Sequence, residues 1–129
     1  MLKRAIPAAA LLALTACSDT CANTLISRVE APDGQHSAAM FQRDCGATTG
    51  FSTQISVLSD DNKATGGGNA FRADGDHGAA TAGAWGGPWA DIKWLSSEHL
   101  LIRYAGRSRI FEQDNKVSGI RISYQPVGR

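Results

Sequence analysis

Phe51-Ser52-Thr53-Gln54-Ile55-Ser56-Val57 decides the fold class of this chain. Phe51, Thr53, Ile55 and Val57 alternate with Ser52, Gln54 and Ser56, the period of two that points one face of a strand to a core and the other to water. A half-buried strand is predicted. It is bounded by the small-residue turn Asp44-Cys45-Gly46-Ala47-Thr48-Thr49-Gly50 and by Ser59-Asp60-Asp61-Asn62-Lys63. Upstream, Leu25, Ile26 and Val29 mark a strand from Thr24 to Glu30. Ala31-Pro32-Asp33-Gly34 places proline and glycine for a tight type I turn, and His36 to Arg43 returns with Ala38, Met40 and Phe41, giving a β-hairpin.

Downstream, Gly66-Gly67-Gly68 is a bend, and Asn69 to Asp74 is a short strand carrying Phe71. The stretch from Gly75 to Pro88 is rich in Gly and Ala and reads as a long surface loop carrying Trp85. Trp89 to Trp94 and Leu100, Ile102 and Tyr104 form a second hairpin. Arg109 to Gln113 is another strand, and Ile120, Ile122 and Tyr124 mark the last, closed by Pro126. The expectation is a mainly β fold of seven to eight short strands. A single antiparallel meander-like sheet, a sandwich or an open barrel would satisfy it, as one domain over 24–129.

The chain begins differently. Lys3 and Arg4 precede the apolar run from Ala5 to Leu14, and Leu14-Thr15-Ala16-Cys17 follows. A helix needs about 20 apolar residues to span a bilayer, and Ser18-Asp19-Thr20 arrives too early for that. The pattern resembles a bacterial lipoprotein signal with its lipobox. The resemblance implies that 1–16 is a helical signal peptide and that Cys17 is the acylated (diacylglycerol, palmitate-type) N-terminus. Residues 17–23 would then be a lipidated terminus and short tether. It also implies a cell-envelope location anchored in the membrane, at the outer membrane of a diderm host because Ser18 stands where Asp would retain the protein at the inner one.

Without Lys3 and Arg4, 11 basic side chains face 12 acidic ones, a net charge of −1 with histidine neutral. Nine arginines are spread along the chain rather than clustered, so the sequence carries no basic footprint for nucleic acid. Once Cys17 carries lipid, Cys21 and Cys45 are the two thiols left in an oxidising compartment, and a disulfide between them is expected. It would tie the lead into the first strand to the end of the second.

Three segments carry a second resemblance: Pro32-Asp33-Gly34, Asp44-Cys45-Gly46-Ala47-Thr48-Thr49-Gly50-Phe51-Ser52-Thr53 and Ala73-Asp74-Gly75-Asp76-His77. Together they resemble a family of small uncharacterised bacterial lipoproteins, which implies compartment and β fold and brings no activity. Pro32-Asp33-Gly34, and Trp94-Leu95-Ser96 before Leu100-Leu101-Ile102, are also similar to blade hairpins of periplasmic β-propellers. Two such hairpins cannot close a propeller.

Asp74-Gly75-Asp76-His77 is the densest polar cluster. Two carboxylates and an imidazole could hold a cation or act as acid and base, although the further acidic ligands of a calcium loop are missing. Arg43, Asp44, Thr48 and Thr49 form a second candidate, because a glycine-flanked turn exposes amides and hydroxyls to a carboxylate, phosphate or sugar. Trp85 beside Gly86-Gly87-Pro88 is either an exposed platform or a lid over the core. Ser96-Ser97-Glu98-His99 holds hydroxyl, acid and base, but adjacent residues on a strand face different ways. There is no Gly-x-Ser-x-Gly elbow. No catalytic residue and no cofactor is assigned. The expected function is a non-catalytic binding or structural module of the envelope, with an envelope protein or polymer as partner at loops 43–50 and 74–89. A metal-dependent or acid–base hydrolase at 74–77 is the alternative.

Overall fold

The structure is a computed structural model that describes residues 20–46, 50–59 and 62–129. The expected signal helix, Cys17, and Thr48 and Thr49 lie outside the described residues. The described chain is all β: β1 (Ala22–Glu30), β2 (His36–Asp44), β3 (Ser52–Ser59), β4 (Phe71–Asp74), β5 (Ala90–Ser96), β6 (His99–Ala105), β7 (Arg109–Gln113), β8 (Lys116–Val117) and β9 (Ile120–Val127). One sheet has the order β1-β2-β3-β4-β7 and the other β5-β6-β9-β8.

The two predicted hairpins form. β1 pairs with β2 around Ala31–Gly34, where Gly34 N–H donates to Ala31 C=O at 2.9 Å and Gly34 takes φ 72°, a value open to glycine. β5 pairs with β6. Neighbour pairing alone does not describe the rest. After β6 the chain crosses to the first sheet as β7 and returns as β8 and β9, so β6 and β9 run parallel. An alternating pattern tells which face of a strand is buried; it does not encode which strand lies beside it. Of the three expected arrangements, the sandwich is the one found, with nine strands in two sheets among the described residues.

The inner faces enclose the core. Met40, Ile55, Val57, Phe71 and Ala73 of the first sheet meet Leu100, Ile102, Ile120 and Ile122 of the second. Phe71, Tyr104 and Tyr124 form an aromatic group with centroids 5.6 to 6.5 Å apart. Tyr124 Oη donates to Asp114 C=O at 2.6 Å, satisfying the one polar atom of the ring.

β3 departs from the half-buried expectation in both directions. Thr53 to Val57 are all buried, whereas Phe51 precedes the strand and is 46% exposed. The outer face is covered by the segment 62–69. Gly68 N–H donates to Gln54 Oε1 at 2.7 Å and Asn69 N–H to Ser56 Oγ at 3.1 Å. On β1, Asn23 Nδ2 donates to Gly66 C=O and Arg28 to Asn62 C=O. Anchored on both neighbours of β2, this strap closes over outward-facing Phe41, which is fully buried.

Candidate functional site

Cys21 and Cys45 are joined by a disulfide. It extends the β1–β2 ladder one step beyond the pair Ala22 and Asp44. One row further in, the registers align Asn23, Arg43, Ser52, Asp74 and Arg109 across all five strands of the first sheet. Cross-strand partners share a face, so this is a continuous polar row on the outer face beside the disulfide. Arg43 donates to Asn23 Oδ1 at 2.7 Å, and Ser52 Oγ donates to Arg43 C=O at 2.9 Å. Arg109 donates through Nε and NH2 to Asp74 at 3.1 and 2.6 Å.

Two clefts flank the Asp74–Arg109 pair and share Gly50, Asp74, His77 and Arg109. The larger, of about 480 Å³, adds Arg43, Cys45, Ser52, Gln54, Arg72 and Phe111. The smaller, of about 220 Å³, lies between 74–78 and 86–88, with Phe51 at its wall. A bulge in β7 builds the larger one. The register slips between Arg72 and Ala73, so Ile110 points into the core while Phe111 is the extra residue and stands 61% exposed. The Arg109 guanidinium lies 5.3 Å from its ring centroid.

Hydrogen bonding from Arg109 holds the Asp74 carboxyl below the usual carboxylate range against the opposing effect of partial burial, and Asp76 N–H adds to the lowering. The carboxylate raises the Arg109 guanidinium in return. Asp74 is therefore a charged partner with its oxygens engaged rather than a proton donor at neutral pH. Asp76 and His77 adopt left-handed backbone conformations, φ 51° and 55°, in a turn closed by Ala80 N–H donating to Gly75 C=O at 3.1 Å. Among the described residues, no group of three or more His, Cys, Asp or Glu stands where it could hold a metal ion.

Of the candidates read from sequence, Arg43, Asp74 and His77 meet in the larger cleft, and Asp76 lines the smaller one. Asp44 turns instead to its own backbone, accepting Gly46 N–H at 3.1 Å. Trp85 is a lid on the core. Its indole Nε1–H donates to Thr53 Oγ1 at 2.8 Å, and that hydroxyl donates to Pro88 C=O at 2.6 Å. The ring lies over Gly83, where a Cβ would come within 2.5 Å of it. Arg72, Arg109, Phe111, Ser52 and Gln54 had no signal of their own in the sequence, because only the register brings them together.

Ser96-Ser97-Glu98-His99 does not assemble. His99 instead meets Ser123 of the parallel neighbour, Nε2 to Oγ at 2.6 Å, and its Nδ1 lies 3.1 Å from Arg121 NH2.

The chain matches no protein-family model, no curated protein and no solved structure.

Proposed function

We propose that this is a lipid-anchored binding module of the bacterial cell envelope, acylated at Cys17, that holds an envelope component on the outer face of its five-stranded sheet. The observation that carries the binding reading is the polar row Asn23-Arg43-Ser52-Asp74-Arg109, opening into two clefts beside the disulfide. Pre-formed concave surfaces with a few convergent polar groups are where ligands bind. Here the groups are guanidiniums, a hydroxyl and amides flanked by exposed aromatic rings, a set suited to recognition. The acid–base alternative at 74–77 has less support, because Asp74 is engaged by Arg109. The anchor and family reading draws on Leu14-Thr15-Ala16-Cys17 and the three motif segments.

Palmitate labelling of the wild type and of Cys17→Ser tests the anchor, with label expected on the first only. Crosslinking in intact envelopes, followed by comparison of wild type with Arg109→Gln, tests the site. Adducts should map to residues lining the clefts and fall in the variant. Equal labelling of the two proteins in the first experiment, or adducts that are unchanged by Arg109→Gln in the second, would remove the corresponding half of the proposal.

A further inference from the structure

We infer that the larger cleft takes the phosphate of anionic lipid headgroups, so that the outer face of the five-stranded sheet rests on the bilayer beside the disulfide. The inference rests on the anchor reading of Cys17 and names the envelope component. Its first support is reach. Cys45 lines the cleft and is bonded to Cys21, and the four residues from Cys17 to Cys21 extend at most about 14 Å. A lipid on Cys17 therefore holds this end of the sheet against the membrane surface, and the cleft opens there.

The second support is chemistry. Arg43, Arg72 and Arg109 come from β2, β4 and β7 and line one cleft. Asp74 is bonded to Arg109 and Glu112 lies 3.8 Å from Arg72, with Asp76 in the adjoining cleft. Arg109 gives Asp74 two of its five N–H donors, and a planar guanidinium presents the rest to a phosphate in a fixed fork. Phe111, 61% exposed, lines the same cleft, and Phe51, 46% exposed, stands at the wall of the adjoining one, which shares Arg109. A soluble oxyanion has no use for two exposed rings. At a bilayer surface aromatic rings sit at headgroup level, and basic side chains there meet lipid phosphates. Since the chain without its signal is close to neutral, the attraction is local to this face and fixes orientation.

The processed protein, reconstituted into vesicles of phosphatidylcholine alone or mixed with phosphatidylglycerol, provides the test. Amide hydrogen exchange of 75–78 and 106–113 is followed, and the mass of the N-terminal peptide reports whether Cys17 carries lipid. Phosphatidylglycerol should slow exchange in both segments about tenfold or more, the scale of two basic side chains at an anionic surface, and leave 90–99 unchanged. The double variant Arg72→Gln/Arg109→Gln should lose the slowing. Phe111→Ser, which alters an exposed side chain, should reduce it, and Arg103→Gln, which removes a single arginine charge from the other sheet, should keep it. A lipidated protein that exchanges alike in both vesicles overturns the headgroup assignment alone, whereas an unmodified Cys17 removes the anchor reading beneath it. Equal slowing by inorganic phosphate on neutral vesicles would assign the cleft to a free oxyanion and overturn the inference, as would slowing that survives in the double variant.

Discussion

Gly68 lies where the strap turns down onto β3, and a Cβ there would come within 2.7 Å of Phe71 C=O oxygen and 2.9 Å of both Ile55 N and O. Those atoms belong to paired strands and cannot yield as a flexible side chain would. Gly68→Ala should therefore destabilise by about 2 kcal/mol through overpacking, read as a lower urea midpoint at unchanged slope. Asp74 gives a second prediction at this scale. Its pKa is lowered on folding from the ordinary 3.8, principally by the Arg109 hydrogen bonds, so its contribution is present above that value and is lost as pH falls through the lower folded value. Acid titration of stability should show this loss below about pH 4 in the wild type, and Arg109→Gln should flatten it. An unchanged acid limb in the variant would show that the pair does not hold Asp74 charged.

Tyr124 on β9 ties that strand to the β7–β8 connection, because its hydroxyl donates to Asp114 C=O. Burial, then the nearby Asp114 charge, pushes its pKa well above the ordinary 10. The folded state thus favours the protonated phenol, and stability present below pH 10 is lost as pH rises beyond it. Tyr124→Phe should remove that alkaline loss and cost about 1 kcal/mol at neutral pH, both visible in denaturant titrations across pH. Strands of this kind were legible in the sequence wherever the inner face carried the period, as with Thr53, Ile55 and Val57 or Ile120, Ile122 and Tyr124. The cover over Gln54 and Ser56 was not, because 62–69 has no period and holds the sheet through backbone and amide hydrogen bonds. The site was legible in pieces. Arg43 and the 74–77 cluster stand out as polar residues beside glycines, yet their meeting depends on two strand registers, and Arg109 lies 35 residues from its partner Asp74.

At the scale of the molecule, the two sheets have different relations to the disulfide. Cys21–Cys45 closes one end of β1 and β2, at the edge of the five-stranded sheet, whereas β6 and β9 lie in the other sheet, and β5 meets β1 near the opposite end, where Trp94 Nε1–H donates to Val29 C=O at 2.8 Å. β1 is an edge strand whose ladder is interrupted by a bulge between Leu25 and Ser27, so the covalent link secures the end of a strand that has a ladder partner on one side alone. With a sequence separation of 24, its removal should cost about 3 kcal/mol on the chain-entropy account. Cys21→Ser/Cys45→Ser should lower the urea midpoint accordingly. The loss should not be uniform: amides of β1 and of the Arg43 end of β2 should exchange through a local opening, while those of β6 and β9 keep exchanging only with global unfolding. Because Asn23 and Arg43 start the polar row, that opening should also weaken the cleft before the core loosens. Protection that falls equally in both sheets would contradict this account, since it would mean that the sandwich opens as one unit and the disulfide secures no separable edge.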